Sequence, residues 1–278
     1  MRPPALSRPR GARSVMLALH VLASGSKGNA AVVEDISSHR AVLIDCGICK
    51  RDVLARCNEA GVDPAHLDAI LVTHDHTDHT KGLGVLTRGL KASTPPIYAL
   101  DAVRDGCADL RALADTCDVR SLALDEVLGF GGLSVVPFRT SHDASASCGF
   151  RFESADGDSL GFMTDTGIVT GEAHEALQNV RILALESNHD VRMLEEGPYP
   201  YQLKKRVASD HGHLSNVQAA DELAALLSTR LETVVAMHLS EHNNLPSLAT
   251  RALEGVVAQQ GHGARVLCAS QRMLVSVD

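Results

Sequence analysis

Three histidines and two aspartates occupy residues 74–79 in the order HDHTDH, directly after an apolar run. His74 and His76 are two residues apart, so in an extended segment their side chains project to the same side. Asp78 and His79 follow at a spacing suited to a turn that enters a helix. Such an array can offer imidazole nitrogens to one divalent cation, and a carboxylate with an imidazole to a second. Mixed nitrogen and oxygen donors suit zinc, manganese or iron better than calcium or magnesium, which prefer oxygen alone.

Ligand-type residues also end other apolar runs of the chain. Asp45, His142, Asp165 and His238 each stand at the end of such a run. One of them alone would usually be a polar turn residue. Four of them beside the 74–79 cluster indicate a shared site, because residues at strand ends collect along one edge of packed sheets.

The elements that must position these residues alternate between strands and helices. Apolar, partly β-branched runs predict strands at 15–23, 30–35, 41–45, 69–72, 97–100, 119–124, 133–138, 148–152, 159–163, 181–186, 233–237 and 265–269. Helical patterns cover 50–60, 78–90, 200–208, 215–227 and 246–259. Strands come first and last with helices between them, which predicts a layered α/β protein with one domain over residues 15–278.

The composition narrows the class of protein. With 278 residues, 45% hydrophobic and 22% charged, the chain is typical of a soluble globular protein. Aromatic residues make up only 3%, so Ala, Val, Leu and Ile must build the core. The net charge of −8 argues against a broad basic footprint for nucleic acid, so any such contact must be local.

The cysteines and the N-terminus indicate a cytoplasmic protein. Seven cysteines show no framework of spacing, which is typical of a reducing compartment, and Cys46 and Cys49 form a lone CxxC pair. Residues 1–14 are predicted to be a disordered extension, or to precede a true start at Met16, rather than an export signal. No window of 18 apolar residues exists, so neither a membrane span nor a membrane partner is expected.

On these motifs the chain resembles the metallo-β-lactamase-fold hydrolases over residues 15–278. Blocks at 22–29, 185–190, 209–216 and 238–244 resemble the YycJ/WalJ branch, whose members are regarded as exonuclease-like phosphodiesterases. The resemblance implies a four-layer αββα sandwich of the α/β (or α+β) class with two divalent metal ions, zinc, manganese or iron. The cysteines at 46 and 49 depart from the branch, where smaller residues are common, without touching a ligand position.

The resemblance also implies a ligand set. Five histidines and two carboxylates would hold the ions, leaving one position for water: His74, His76 and His142 on one metal, Asp78, His79 and His238 on the other, and Asp165 bridging the two. Asp45 would orient a ligand histidine from behind. Hydroxide shared by the metals would attack phosphorus, with Asp78 counted among the catalytic residues. His213 is the candidate proton donor to the leaving oxygen, and its alternative is a neighbour of a helix cap with no catalytic part.

Three polar groups are candidates for substrate contact. They are the glycine-broken loop with Ser24, Ser26, Lys27 and Asn29, the group Ser187, Asn188 and His189, and the pair Ser215 and Asn216 at a helix start. The loop could instead be a tight hairpin turn, and Ser215 could simply cap helix 215–227. The basic run 204–206 could contact nucleic acid or form a solvated helix face.

The leading hypothesis is therefore a metal-dependent phosphodiesterase that trims DNA from a 5′ end. The alternatives are a small-molecule phosphodiesterase acting on a cyclic or alkyl phosphodiester, and a glyoxalase II-type thioester hydrolase. A metal-binding regulator or redox protein is disfavoured, because no ligand position is missing and the chain has no room for a flavin domain. The oligomeric state is left open by the sequence.

Overall fold

In the first half of the chain, six strands and five helices lie among the described residues. The structure is a computed structural model that describes residues 17–124 and 126–278, so the predicted extension 1–14 lies outside the described residues. The strands are β1 (Leu17–Ala23), β2 (Ala30–Asp35), β3 (Arg40–Ile44), β4 (Leu67–Leu71), β5 (Ile97–Leu100) and β6 (Val119–Leu122). The helices are α1 (Lys50–Ala60), α2 (Thr77–Thr80), α3 (Leu83–Leu90), α4 (Asp101–Gly106) and α5 (Ala108–Arg111).

The second half continues the same alternation. Its strands are β7 (Leu128–Phe130), β8 (Leu133–Arg139), β9 (Cys148–Ser154), β10 (Ser159–Met163), β11 (Ile182–Glu186), β12 (Thr233–Met237), β13 (Arg265–Cys268) and β14 (Val275–Val277). Its helices are α6 (Gly171–Leu177), α7 (Val191–Glu196), α8 (Tyr201–Val207), α9 (Asn216–Leu226) and α10 (Pro246–Gln259). None of the helices within the described ranges combines the length and apolarity that a membrane crossing requires.

These strands form two mixed sheets in the described part of the chain. The first has the order β14-β1-β2-β3-β4-β5-β6 and the second β13-β12-β11-β10-β9-β8-β7. Strands β3 to β6 and strands β10 to β13 run parallel within their sheets, and the remaining pairs are antiparallel. The carboxyl ends of parallel strands meet at one edge, which is where ligands bind in such sheets.

The second sheet is packed on both faces, because successive side chains of its central strands point to opposite sides. In β11, Ile182 and Ala184 join the core between the two sheets, whereas Leu183 and Leu185 join a second cluster. That second cluster includes apolar residues of α6, α9 and α10, so helices cover the outer face. Successive strand residues point to opposite faces, and a strand buried on both faces reads as a continuous apolar run. The αββα sandwich expected from the sequence is confirmed.

Two elements differ from the sequence expectation. The helix predicted over 78–90 is two helices that meet at Gly82, where a Cβ atom would lie 2.1 Å from the carbonyl oxygen of Ile48. The close backbone approach excludes any side chain there and breaks the helix axis. The strand at 265–269 does not close the fold, because β14 follows it and pairs antiparallel with β1.

Candidate metal centre

The predicted ligands lie where strands of both sheets end. Residues 74–79 follow β4, Asp165 follows β10 and His238 follows β12. Asp45, Asp165 and His238 have φ angles of 58°, 56° and 53°, in the left-handed region that non-glycine residues rarely adopt. Such strain persists only where surrounding structure fixes it, and it clusters at functional sites. Three sharp strand exits thus turn these side chains toward one place.

His74, His76 and His142 form the first group of donors. A ligand atom from each lies within 4.8 Å of the other two, and His142 Nε2 is 3.2 Å from His76 Nδ1. His142 Nδ1 donates to the carbonyl oxygen of Gly212 at 2.9 Å, which leaves Nε2 as the nitrogen with a free lone pair. His74 is fully buried, and its Nε2 has no hydrogen-bond partner among the described residues.

Asp78, His79 and His238 form the second group, again with ligand atoms within 4.8 Å of one another. His79 Nδ1 donates to Asp45 Oδ2 at 2.7 Å, so its Nε2 turns toward Asp78, 3.5 Å from Oδ2. Asp45 in turn accepts from the backbone N–H of Thr73 at 2.8 Å. A carboxylate behind a ligand histidine fixes the tautomer and the ring orientation. Asp45 therefore lies behind the His79 ring, and its role toward a bound metal stays a prediction.

Asp165 lies between the two groups. Its Oδ2 is 3.4 Å from His79 Nε2, and its Oδ1 is 3.8 Å from His142 Nε2. The side chain is buried, and Oδ2 accepts no hydrogen bond from the described residues. His238 Nε2 is buried and unpartnered in the same way. Unsatisfied buried polar atoms cost about 1–3 kcal/mol each, so several facing one point fit a divalent cation bound there.

Glu186 is a member of the site that the sequence analysis missed. It is fully buried at the end of β11, and its Oε1 accepts from His213 Nδ1 at 2.8 Å and from His238 Nδ1 at 3.0 Å. Its Oε2 accepts the backbone N–H of Thr166 at 2.9 Å. Glutamate closes a strand of apolar residues, which is the same signal that identified Asp165. That signal was available, but the block 185–190 was assigned only through its later residues.

His213 stands at the rim of this centre. Its side chain is 20% exposed and lines a cavity of about 200 Å³ that also reaches His76, Asp78 and His238. Because Nδ1 donates to Glu186, Nε2 is the nitrogen that can serve a molecule in the cavity. The position is compatible with the proton-donor role, which stays a prediction.

Burial and neighbouring charges shift the pKa values of the histidines in this site in opposite directions. Burial, reinforced by the neighbouring His79 and His142, holds the pKa of His74 well below its ordinary value. Burial also opposes the charge on His79, but Asp165, Asp45 and Asp78 outweigh it and raise the pKa to about 9. The pKa of His238 is raised well above its ordinary value, against the effect of burial, chiefly by Asp165. Metal binding must therefore compete with protons on His79 and His238.

The residues proposed to contact substrate fall into two sets. Ser26 and Asn188 line the cavity, and Lys27 is exposed near it with an ion pair to Glu241 at 2.6 Å. The others are buried: Ser24, Asn29, Ser187, His189, Ser215 and Asn216. Their contact with substrate stays a prediction.

Most of the buried set is engaged within the protein, whereas His189 Nδ1 has no hydrogen-bond partner among the described residues. Ser24 Oγ accepts the backbone N–H of His238 at 2.8 Å, and Asn29 Nδ2 lies 3.0 Å from His79 Nε2. Ser187 Oγ donates to Asn216 Oδ1 at 2.8 Å, and Ser215 caps α9 in a capping box with Gln218. These contacts hold the loops that carry the donor groups.

Comparison with known proteins identifies relatives over most of the chain. The family model described as the Beta-lactamase superfamily domain matches residues 40–239. The chain is similar to the exodeoxyribonuclease WalJ of Streptococcus pneumoniae serotype 2, strain D39, with 34% identity over 248 residues, covering 88% of this chain and 90% of the relative. It is also similar to the exodeoxyribonuclease YycJ of Bacillus anthracis, with 33% identity over 243 residues, covering 87% and 90%.

Solved structures share the fold at lower identity. The metallo-β-lactamase fold protein YhfI from Bacillus subtilis superimposes with a TM-score of 0.70 at 18% identity, covering 94% of this chain and 99% of that one. The short form of human tRNase Z superimposes with a TM-score of 0.64 at 19% identity, covering 94% and 99%. At such identities these likenesses establish the fold alone.

Proposed function

The chain belongs to the metallo-β-lactamase superfamily and is a metal-dependent hydrolase, and we propose that it is a binuclear exodeoxyribonuclease that removes nucleotides from the 5′ end of DNA. The observation that carries the proposal is the convergence of seven donors at one centre, four of which line the cavity, in a chain alignable over most of its length with exodeoxyribonucleases. The predicted ligand residues supply two groups of three donors, with Asp165 between them.

The donor set fits zinc, manganese or iron, because it combines imidazole with carboxylate. In the proposed centre one ion would be held by His74, His76 and His142 and the other by Asp78, His79 and His238, and Asp165 would serve both. Such a pair of cations, when bound, lowers the pKa of water and neutralises the charge that develops on a phosphodiester. Asp45 and Glu186 orient the rings of His79 and His238, which fixes the donor geometry before the substrate arrives.

The leaving oxygen needs a proton, and we assign this donation to His213. Glu186 holds the Nδ1–H of His213, so the ring presents Nε2 to the cavity. The buried Glu186 is itself kept anionic: burial opposes this, but the charge of His213 and its hydrogen bond lower the carboxyl pKa. A carboxylate behind the ring fixes the tautomer and the orientation in which Nε2 faces the cavity.

A small-molecule phosphodiesterase is the second candidate, and two observations favour it. The cavity of about 200 Å³ is below the roughly 300–1,000 Å³ of ordinary ligand pockets, which suits a small diester. The net charge of −8 also gives no general attraction to DNA.

Three substrates separate the candidates. The protein loaded with manganese or zinc is incubated with 5′-phosphorylated DNA, with bis(p-nitrophenyl) phosphate and with a glutathione thioester. Stepwise loss of nucleotides from DNA is the expected result, and a block of phosphorothioate linkages at the 5′ end should stop it while the same block at the 3′ end should not. Turnover of the model diester alone would transfer the assignment to the small-molecule class, and thioester cleavage would overturn both.

The proposed setting is the cytoplasm, with DNA as the partner. Within the described residues all seven cysteines are free thiols, as expected for a reducing compartment. DNA would be held by contacts near the cavity rather than by the surface as a whole.

A further inference from the structure

Aromatic rings are rare in this protein, and their distribution is uneven. The chain has five Phe, three Tyr and no Trp. Four Phe and Tyr98 are buried in the core, and Phe130 is half-buried. The remaining two, Tyr199 and Tyr201, occur together between α7 and the first turn of α8. The aromatic side chains that the core does not use are thus concentrated in one surface segment.

Tyr199 lies at the metal cavity. It is half-buried, lines the cavity and makes an edge-on contact with the exposed ring of His242, with ring centroids 5.9 Å apart. Gly197 packs so closely that a Cβ there would lie 2.6 Å from Asn243 Oδ1, which fixes the segment against the loop that carries His242. Tyr199 is therefore presented by a rigid support.

Positive charge stands beside this ring. The basic run Lys204, Lys205 and Arg206 lies in α8, and Arg206 lines the same cavity. The Nε atom of Arg206 is bound to Asp143, while its terminal amino groups make no hydrogen bond to the described residues. A planar guanidinium held at one nitrogen can still bind a phosphate with the others.

The size of the cavity determines what can lie inside it. About 200 Å³ is less than ordinary ligand pockets of roughly 300–1,000 Å³, so a DNA end bound in the cavity must extend beyond it. The nucleobases next to the reacting phosphate must lie at the rim, where Tyr199 stands. A base can stack on a side chain only if its face is uncovered, which requires an unpaired strand.

Building on the proposed function, we propose that Tyr199, with the ring of His242 edge-on against it, forms a stacking site for the unpaired base next to the scissile phosphodiester, with Arg206 holding an adjacent phosphate. The site therefore selects single-stranded or frayed DNA ends over closed duplex ends. It also supplies local affinity in a chain whose net charge of −8 supplies none overall.

Steady-state kinetics of the metal-loaded protein on a single strand and on a blunt duplex of the same sequence test this site. Tyr199→Ala should raise KM for the single strand about 10-fold through loss of one stacked base, while Tyr199→Phe, which keeps the ring, should not. Tyr201→Ala is the matched control: Tyr201 is 66% exposed, does not line the cavity and lies under Lys205 Nζ.

A strand with an abasic nucleotide at the cleaved end removes the base instead of the ring. Combined with Tyr199→Ala, it completes a double-mutant cycle. If Tyr199 stacks on that base, Tyr199→Ala should cause no further loss on the abasic strand. An unchanged KM in Tyr199→Ala, or an equal loss on normal and abasic strands, would overturn the stacking site.

Binding of a labelled phosphorothioate single strand, measured by fluorescence anisotropy, separates this proposal from the function it rests on. Wild-type protein that binds the strand through Tyr199 but cleaves no DNA would retain the stacking site and reject the nuclease. Wild-type protein that cleaves DNA with no effect of Tyr199→Ala on binding would retain the nuclease and reject the site. Absence of both binding and cleavage would reject both.

Discussion

Strands β10 and β11 lie side by side, and the two ends of this pair are both buried and charged but are built differently. Before the strands start, Arg181 donates from Nε and Nη2 to Asp158, each at 2.8 Å, while its Nη1 lies 3.7 Å from Glu232. Where the strands finish, Asp165 and Glu186 face histidines.

Before the strands begin, the charges of Arg181 and Asp158 bind each other and only Arg181 Nη1 lacks a hydrogen bond among the described residues, whereas three atoms that face one another are left open where the strands end. Asp158 also accepts the backbone N–H of Leu17 at 3.0 Å, and Arg181 donates to the carbonyl oxygen of the same residue at 2.6 Å. At the finish, Asp165 Oδ2 and the Nε2 atoms of His74 and His238 have no hydrogen-bond partner among the described residues. Equal burial thus serves stability at one end and ligand binding at the other. Substitutions in the Arg181–Asp158 pair should therefore lower stability, whereas substitutions around Asp165 and Glu186 should lower activity.

The largest effect on activity is expected at the metal centre, where β10 and β11 end. His76→Ala should abolish hydrolysis of every substrate and lower the metal content, because one of three donors in the first group is lost. The free energy of unfolding measured in the presence of a chelator should stay close to wild type. Metal analysis, activity and chemical denaturation of the same preparation check all three.

His174→Ala is the matched control for that variant. His174 pairs with Glu222 at 2.8 Å, away from the metal centre, so its loss should leave metal content and activity intact. Full activity in His76→Ala would show that the first group of donors is not part of the working centre.

The second-largest effect, on the free energy of unfolding, is expected at the Arg181–Asp158 pair before β10 and β11 begin. Arg181→Met should lower the free energy of unfolding by about 3–5 kcal/mol, because it leaves the buried charge of Asp158 without its cation. Activity per folded molecule should be unchanged. Arg192→Met is the control, since the Arg192 side chain is 82% exposed in its pair with Glu196, and its loss should cost no more than about 1 kcal/mol. Equal losses in urea titrations of the two variants would contradict the distinction between the two ends.

The same contrast explains what could be predicted from sequence. Ligand-type residues that follow apolar runs, such as Asp165 and His238, stand out because a strand period ends and a polar residue begins. The fold followed from that alternation and from the family motif, and it is confirmed. The ligand roles stay predictions, although the structure brings all seven side chains together.

The features missed depend on tertiary contacts. Glu186 ends an apolar run, a signal the sequence does carry, but its bonds to His213 and His238, which assign it to the site, form only in the folded chain. The break at Gly82 arises from the approach of a distant carbonyl group, which no local pattern encodes. Strand β14 has three residues, too few for a period, and exists because β1 offers it an edge.

A variant at the edge of the metal centre should lower the reaction rate without lowering the metal content. His213→Ala should keep the metals and slow DNA hydrolysis by roughly 100-fold, as for loss of a general acid. With bis(p-nitrophenyl) phosphate the loss should be much smaller, because p-nitrophenolate leaves without a proton. Rates on the two substrates under saturating conditions provide the measurement. An equal loss on both would mean that His213 acts by some means other than proton donation.

The smallest effect concerns a residue that supports a donor from behind. Asp45→Asn should weaken metal binding about 10- to 100-fold, because the carboxylate that fixes the His79 ring is lost. Competition with a chromogenic chelator measures that affinity, and circular dichroism checks that the fold is kept.

The pH dependence of that loss tests its cause. Burial works against the charge on His79, but Asp165, Asp45 and Asp78 raise its pKa to about 9, so at neutral pH a metal must first displace a proton. Metal affinity should therefore rise with pH by up to about tenfold per unit from this group, and level off above pH 9. Asp45→Asn removes one of the charges that raise the pKa, so its affinity should level off at lower pH. The deficit of the variant should consequently be largest above pH 9 and shrink toward neutral pH. A deficit independent of pH would mean that Asp45 acts on ring orientation alone.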